Sequence, residues 1–320
     1  MPVFEELEDE TDLEDILERL KDNDALVRKV AVLDLAENTD PSSLNALINC
    51  FDDNAAEVRL EAARALEAFD DPAAAQCLAE ALDDSDEATR EAAAYSLAEF
   101  KNPECATPLV DFVSSTSTFV RASVLRALRE LRNPISLSVA LKALADDHAS
   151  VRVEAVTVIG YLQDKTTLPA LIQVTQDESA DVRRSAIRSL AFCDEDLVVK
   201  ALLKGLSDDV WSVREAAAET LGRVKGKSAT NEMIDALEDP YWQVRVKAAR
   251  SLGQIKAVSA VHALAPSLLH DISNLRKEAA AALGEIAHSS ALSYLEKAEG
   301  DPDPDVNKNI RWAISQIKAA

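Results

Sequence analysis

One arginine recurs every 31 residues along this chain of 320. The tenth position of the series holds Asn307, and the other nine hold Arg28, Arg59, Arg90, Arg121, Arg152, Arg183, Arg214, Arg245 and Arg276. A fixed period of this length is the sequence signature of a repeat protein, in which each unit packs only against its neighbours. The period therefore predicts a stack of similar two-element units rather than an ordinary globular domain.

Neighbouring positions keep the same register as the arginine. The residue before it is nearly always aliphatic, the third residue after it is usually alanine, and the seventh is leucine or isoleucine. This spacing places one apolar stripe along a helix. Aspartate stands six residues before the arginine, except where Ser115 and His270 replace it. A carboxylate in a turn at the start of a helix can accept hydrogen bonds from free N–H groups.

A second apolar stripe precedes the aspartate, so each repeat is predicted to contain two helices joined by a short turn. Glycines recur near the end of the second helix, where we expect them to stop it: Gly160, Gly222, Gly253 and Gly284. Two short helices cannot bury a core alone, whereas a stack of ten pairs can. The predicted fold class is all-α, a right-handed α-α superhelix (α-solenoid) over residues 10–320, after an acidic leader at residues 1–9.

The repeat pattern D-x-x-x-x-V-R-x-x-A-A-x-x-L-G resembles that of HEAT repeats. It is carried residue by residue by Asp208, Val213, Arg214, Ala217, Ala218, Leu221 and Gly222. Among HEAT repeats, the pattern is most similar to the short bacterial form, the phycobilin-lyase HEAT-like repeats. The resemblance implies that the arginine series and the aspartates form a structural ladder between neighbouring turns. It also implies a role among bilin lyase subunits, phycobilisome-degradation factors, or adaptor and assembly proteins.

The charge is large and unevenly distributed. The chain has a net charge of −23, and its first 100 residues contain 28 acidic and 7 basic side chains. Binding to nucleic acid or to an anionic membrane needs excess cations, so neither partner is expected. Two interpretations of the acidic third remain open: solubility, or electrostatic steering of a basic partner. The start shows no secretory signal, and no apolar run is long enough to span a membrane, so a cytoplasmic location without membrane insertion is expected.

No motif in the sequence predicts catalysis, a cofactor or a metal. None of the four histidines is followed by glutamate, as the His-Glu pairs of di-iron HEAT-repeat hydroxylases would require. Cys50, Cys77 and Cys105 lie on the first helices of successive repeats. Stacked helices are about 8–10 Å apart, whereas zinc–sulfur bonds are about 2.3 Å long, so we expect these thiols to pack as small apolar side chains in a reducing compartment.

The outward face of the second helices is the predicted binding surface. If the arginine's neighbours at −1, +3 and +7 face the core, then +2, +5 and +9 face a concave groove. Its candidate residues are Arg64, Tyr95, Arg126, Arg129, Tyr161, Arg188, Phe192, Arg223, Lys247 and Arg250. Arginine and aromatic side chains are enriched at binding hot spots. The alternative is that the arginines pair with nearby glutamates and that Tyr161 and Phe192 are partly buried between repeats.

A second candidate surface lies at the edge formed by the turns. Trp211 and Trp242 both stand three residues before their arginines, and Tyr241 precedes Trp242. We expect the two tryptophans to stack side by side at the start of the second helices. They serve either to cover the turn or to contact a partner, and the sequence leaves both interpretations open.

The predicted function is that of a non-catalytic scaffold, or an assembly chaperone or adaptor. Such a monomer would hold a protein partner on its concave face. Two alternatives remain. One is a bilin lyase subunit or related tetrapyrrole-handling protein, which rests on the family resemblance alone. The other is an assembly factor for a metalloenzyme, which would hold an immature subunit without holding the metal.

Overall fold

The computed structural model describes residues 13–37 and 41–319. Within these ranges the chain consists of helices and short connections, with no β-strand. The prediction of an all-α fold is therefore confirmed. The acidic leader at residues 1–9 lies outside the described residues.

The described chain contains twenty α-helices, several of which continue into a 3₁₀ turn. In chain order they are α1 (Leu13–Arg19), α2 (Ala25–Glu37), α3 (Pro41–Asn49), α4 (Ala56–Ala65), α5 (Pro72–Ala81), α6 (Glu87–Glu99), α7 (Ala106–Leu109), α8 (Thr118–Leu131), α9 (Ser136–Ala143), α10 (Ala149–Leu162), α11 (Leu168–Val174), α12 (Ala180–Ser189), α13 (Asp196–Leu206), α14 (Trp211–Arg223), α15 (Thr230–Asp235), α16 (Trp242–Gln254), α17 (Val261–Leu264), α18 (Ser273–Ile286), α19 (Leu292–Lys297) and α20 (Pro304–Ala319). Odd numbers are the first helices of the repeats, and even numbers are the second helices.

The chain forms two compact units, residues 1–158 and residues 159–320. Unit 1 contains 34 acidic and 14 basic side chains, whereas unit 2 contains 23 and 20. The acidic character of the protein is therefore confined almost entirely to unit 1. That residues 10–320 form one uninterrupted solenoid stays a prediction.

The core lies along the apolar stripes that the sequence predicts. In α8, Val120, Val124 and Leu128 are at most 2% exposed, and in α14 Val213 and Leu221 are completely buried. Burying one such side chain stabilises the fold by about 1.5–3 kcal/mol. The predicted core positions at −1, +3 and +7 are therefore correct in these helices.

The recurring glycines do not stop the second helices, so that prediction is wrong. Gly222 and Gly253 are helical residues of α14 and α16, each one residue before the helix ends, and the positive φ that follows each helix belongs to a lysine, Lys225 or Lys256. A Cβ atom on Gly253 would lie 2.7 Å from the Cα atom of Ala282 in the next second helix. The glycines are needed because successive second helices of unit 2 approach too closely for a side chain.

Candidate protein-interaction site

Six arginines of the 31-residue series each bind the aspartate that stands 25 residues later, in the turn of the next repeat. In the example of Arg214, Nε and Nη2 donate to the carboxylate of Asp239 at 2.6 and 3.1 Å, while Nη1 donates to the Asp208 carbonyl at 2.8 Å. We call such a pair a rung. Rungs with this geometry are Arg28–Asp53, Arg59–Asp84, Arg121–Asp146, Arg183–Asp208, Arg214–Asp239 and Arg276–Asp301.

The rung aspartate also shapes its own turn. The Asp239 carboxylate accepts a 2.8 Å hydrogen bond from the backbone N–H of Tyr241, two residues on. One carboxylate therefore links two repeats and fixes the entry into a second helix. Both side chains of this rung are nearly buried, at 13% and 9% exposed, so the pair is part of the fold and offers little surface to a partner.

The rungs predict a loss of stability in acid. Hydrogen bonds from Arg28, Arg59 and Arg276 lower the pKa of Asp53, Asp84 and Asp301. Because the folded pKa lies below that of the unfolded chain, about 3.9, this stabilisation is complete above that pH and is lost as the pH falls through the folded values. Urea unfolding should show a constant midpoint from neutral pH to about pH 5, and a falling midpoint below about pH 4. An unchanged midpoint in acid would contradict the rungs.

Two positions of the series lack the aspartate. Ser115 stands where the aspartate that pairs with Arg90 would be. Arg90 therefore keeps its 2.8 Å bond to the Asp84 carbonyl but has no carboxylate to bind in the next repeat. At His270, the imidazole Nδ1 accepts the turn bond from the Ile272 N–H at 3.0 Å. In the described part of the chain, Nε of Arg245 is then buried without a hydrogen-bond partner. We call these two positions open rungs.

Closing the open rung in unit 1 should stabilise the protein. Ser115→Asp would give Arg90 the carboxylate that its neighbours have. A hydrogen bond to a charged group contributes a net of about 1.5–3 kcal/mol, and burying the new charge offsets part of it. We expect a net gain of about 1 kcal/mol in the free energy of unfolding, measured by urea denaturation. The matched control is Ser115→Asn, which can keep the turn bond without a charge. Equal stability of the two variants would contradict the role assigned to the rung carboxylate.

Two arginines at +5, Arg126 and Arg250, bond to glutamates of the next repeat and still remain half exposed. Nε and Nη2 of Arg126 both donate to Oε1 of Glu154 at 3.1 Å, and Nε of Arg250 donates to Glu278 at 3.0 Å. The side chains of Arg126 and Arg250 are nevertheless 49% and 45% exposed. The pairing of arginines with nearby glutamates is therefore present for Arg126 and Arg250, and about half of each arginine side chain remains exposed.

The prediction that +2 faces outward is wrong. Glu61 and Glu154 occupy this position and are buried, because +2 points toward the neighbouring second helix. Lys247, also at +2, is half-buried and binds Glu219 at 3.0 Å. The +2 residues therefore hold neighbouring side chains in place instead of forming the outward surface.

The other predicted residues differ in exposure. Tyr95 and Tyr161 are 65% and 42% exposed. Arg64, Arg188 and Arg223 are exposed, and within the described ranges Arg64 and Arg188 pair with Glu61 and Glu215 while Arg223 forms no ion pair. Phe192 and Arg129 are half-buried, and Arg129 bonds to Glu130.

Sequence reasoning missed apolar residues at −2 on the same face. Leu26 and Phe119 are exposed at this position, and Leu33 is exposed at +5. The −2 and +5 positions are seven residues apart, which returns a helix to nearly the same face. The heptad spacing could have identified them. We define the second-helix face as the exposed side chains at −2, +5 and +9, described separately within unit 1 and unit 2.

The aromatic pair at the turn edge differs from the predicted one. Trp211 stacks on Tyr241, with ring centroids 5.6 Å apart and planes inclined by 16°, and the Arg214 guanidinium lies 5.7 Å from the Tyr241 ring. The prediction that Trp211 stacks on Trp242 is therefore wrong. One step along a helix turns a side chain by about 100°, which directs Tyr241 rather than Trp242 toward Trp211.

The cysteines and other potential ligands do not converge. Cys50, Cys77, Cys105 and Cys193 are buried and form no disulfide. Burial raises the pKa of Cys50 to about 11 and that of Cys77 to about 12, so both thiols stay protonated at neutral pH. Among the residues that the structure describes, no three His, Cys, Asp or Glu side chains are placed to hold a metal ion. No described helix combines the length and hydropathy needed to cross a membrane.

Comparison with protein families matches a model of HEAT repeats to residues 13–98, 78–151, 137–222 and 199–277. These matches overlap and together span most of the chain. The protein belongs to the HEAT-repeat family. The match is to HEAT repeats in general, so the narrower similarity to the phycobilin-lyase branch stays a prediction. None of the curated proteins compared with this HEAT-repeat chain matches it.

Solved structures show the same fold. An engineered protein matches with a TM-score of 0.54 and 23% identity, over 96% of this chain and 98% of the other. Yeast importin-β (Kap95p) matches with a TM-score of 0.65 and 13% identity, and 95% of this chain corresponds to 50% of that protein. The Escherichia coli protein YibA matches with a TM-score of 0.52 and 19% identity, over 94% of this chain and its own full length. At these identities the likeness concerns the fold alone.

Proposed function

We propose that this HEAT-repeat protein is a non-catalytic scaffold that binds a protein partner through its second-helix face. The observation that carries the proposal is the ordering of the exposed arginines. Arg126 and Arg250 are each held by a glutamate of the next repeat while about half of the side chain stays open. A side chain that is already ordered loses less entropy on binding.

Exposed aromatic and aliphatic side chains accompany these arginines. In unit 1, Phe119 lies on α8 with Arg126, and Tyr95 lies on α6, the second helix of the preceding repeat. In unit 2, Tyr161 lies on α10 and Arg223 on α14. Arginine and aromatic residues dominate binding hot spots, so this composition favours a protein partner over a small ligand. Importin-β, which shares the fold, has been solved in a complex with Nup1.

The exposed residues that carry no structural bond give the cleanest test. Tyr95→Ala and Arg223→Ala remove surface area from the second-helix face of unit 1 and unit 2 without breaking an ion pair of the described residues. We expect the double variant to recover at least about ten-fold less of a specific protein from the source cell than the native chain, because hot-spot residues each contribute about 1–2 kcal/mol. Quantitative pull-down with mass spectrometry measures this.

A matched control separates the second-helix face from general stickiness. Leu197 and Lys204 are exposed on the first helix α13, so Leu197→Ala with Lys204→Ala removes similar surface from the other helix layer. This control should recover the same proteins as the native chain. If the control and the second-helix variant give the same recoveries, the second-helix face is not the binding surface.

The alternatives are tested by different readouts. Co-expression with a bilin and a phycobiliprotein would show an absorbance change if the protein were a bilin lyase subunit. Recovery of a metal-free enzyme subunit in the pull-down would identify a metalloenzyme assembly factor. The monomeric state and the cytoplasmic location also stay predictions. No observation on the described residues favours either alternative over the general scaffold.

A further inference from the structure

Ser115 is the only position of the aspartate series at which a hydroxyl takes over the turn bond. Its Oγ accepts a 3.1 Å hydrogen bond from the Ser117 N–H, as the Asp53 carboxylate does from the Ala55 N–H in a closed rung. A serine side chain ends one bond short of the carboxylate oxygens of an aspartate. The open rung of unit 1 therefore keeps its turn but lacks the anion.

The Arg90 guanidinium is nevertheless held in the orientation of a rung. Its Nη1 donates to the Asp84 carbonyl at 2.8 Å, and Nη1 of Arg59 and Arg121 donates in the same way to the carbonyl six residues before it. In Arg59 and Arg121, Nε and Nη2 bind the next aspartate at 2.7 to 3.0 Å. Within the described ranges, Nε and Nη2 of Arg90 form no hydrogen bond. Two charged donors are therefore left over at the position of Ser115.

Ser115 can also be reached from solvent. It is half-buried and lines an open cavity of about 430 Å³, whose wall includes the exposed Ser114, Lys142 and Asp147. Among the described residues Lys142 forms no ion pair, so a second cation borders the cavity beside the one acid, Asp147. A phosphoryl group on a serine carries a charge of about −1.5 to −2 and three acceptor oxygens. Such a group on Oγ would find both space and cations here.

We propose that Ser115 is a phosphorylation site and that its phosphate closes the open rung by accepting hydrogen bonds from Nε and Nη2 of Arg90. A protein kinase and a nucleoside triphosphate supply the phosphoryl group. The Ser115 Oγ forms a bond to the terminal phosphorus while the bond from that phosphorus to its bridging oxygen breaks. The nucleoside diphosphate leaves with that electron pair, and the hydroxyl proton passes to a base of the kinase.

The closed rung ties α6, which carries Arg90, to the turn that begins α8. A phosphoserine opposite an arginine forms one to three new charge-assisted hydrogen bonds and orders the segment that carries it. The modification is therefore a means of fixing two neighbouring repeats of unit 1 together. This inference is independent of the function proposed for the second-helix face.

The structural part of the proposal is tested by genetically encoding phosphoserine in place of Ser115 in the full chain. Hydrogen exchange followed by mass spectrometry then reports the opening of individual helices. We expect amide exchange in α6 and α8 to slow by about ten-fold relative to the native chain, because the closed rung must break before these helices separate. Exchange in α12 of unit 2 should be unchanged and serves as the internal reference.

Two matched proteins decide whether the rung causes this change. Phosphoserine in place of Ser114 adds the same charge to the same turn, one residue away from the rung position, so exchange in α6 and α8 should not slow. Arg90→Gln removes the cation, so phosphoserine at position 115 should have no effect in that background. Equal slowing from position 114, slowing that persists in Arg90→Gln, or no slowing with Arg90 present would each overturn the proposal.

The modification itself is tested with the native chain, ATP and an extract of the source cell. Phosphopeptide mass spectrometry should locate phosphate on Ser115, and Ser115→Ala should remove it. Phosphate on Ser114 or Thr116 instead, or no phosphate on this turn, would overturn the assignment. Inorganic phosphate added at constant ionic strength should leave exchange in α8 unchanged. If it slows α8 as strongly as phosphoserine does, the open rung binds a dissolved anion and the proposal is wrong. None of these outcomes affects the pull-down test of the second-helix face.

Discussion

Replacing Gly253 by alanine will lower the free energy of unfolding of unit 2 by about 2–3 kcal/mol. The new Cβ atom would lie 2.7 Å from the Cα atom of Ala282, and a backbone atom cannot move aside as a flexible side chain can. The second helices α16 and α18 must therefore separate, which loosens the packing of both repeats. The three tryptophans, Trp211, Trp242 and Trp312, all lie in unit 2, so tryptophan fluorescence during urea denaturation reports on this unit.

A milder glycine substitution serves as the control. A Cβ atom on Gly226 would meet its nearest neighbour, the flexible end of Leu221, at 3.2 Å. We expect Gly226→Ala to change the free energy of unfolding by less than about 1 kcal/mol. Equal effects of the two substitutions would show that the spacing of the second helices does not require glycine at position 253.

Removing one rung should have a comparable effect. Arg214→Ala leaves the Asp239 carboxylate nearly buried without its partner, and breaking such a pair costs about 3 kcal/mol. It also removes the guanidinium beside the Tyr241 ring. The same fluorescence-detected urea denaturation measures the loss. In the double variant Arg214→Ala with Asp239→Ser, the stranded charge is gone, so the loss should be smaller than in Arg214→Ala alone.

A surface ion pair of unit 2 provides the control for this rung. Arg184 pairs with Asp181 on α12, and their side chains are 39% and 72% exposed. Surface ion pairs contribute about 0–1 kcal/mol, so Arg184→Ala should scarcely change the stability. If Arg214→Ala costs no more than Arg184→Ala, the periodic arginine is not a structural residue.

The sequence was sufficient to predict the fold because the repeat supplies the same information ten times. Core positions follow from helical spacing, and they are the positions buried in α8 and α14. The role of the glycines could not be predicted, since it depends on the distance between helices 31 residues apart. A glycine at a helix end and a glycine at a close helix contact look alike in sequence.

The candidate site was only partly predictable. The +5 column identifies Arg126 and Arg250, but the spacing does not reveal that Glu154 and Glu278 hold them. The prediction that +2 lies on the outer surface was wrong because it considered each second helix alone. In the structure, the adjacent second helix covers this position, and Glu154 is buried there. Tyr241 and Trp242 are adjacent in the sequence, but their side chains point in different directions. The sequence alone does not show which of the two rings faces Trp211.

The central claim is that the periodic arginines hold the fold while the second-helix face binds the partner. Hydroxyl-radical footprinting of the chain, alone and with the protein recovered in the pull-down, tests it most directly because it reports the exposure of individual side chains. We predict that oxidation of Phe119, Tyr95 and Tyr161 falls in the complex, whereas Leu141 and Leu197, exposed on the first helices α9 and α13, are oxidised equally in both samples. Protection of Leu141 and Leu197 with unchanged oxidation of Phe119, Tyr95 and Tyr161 would contradict the account.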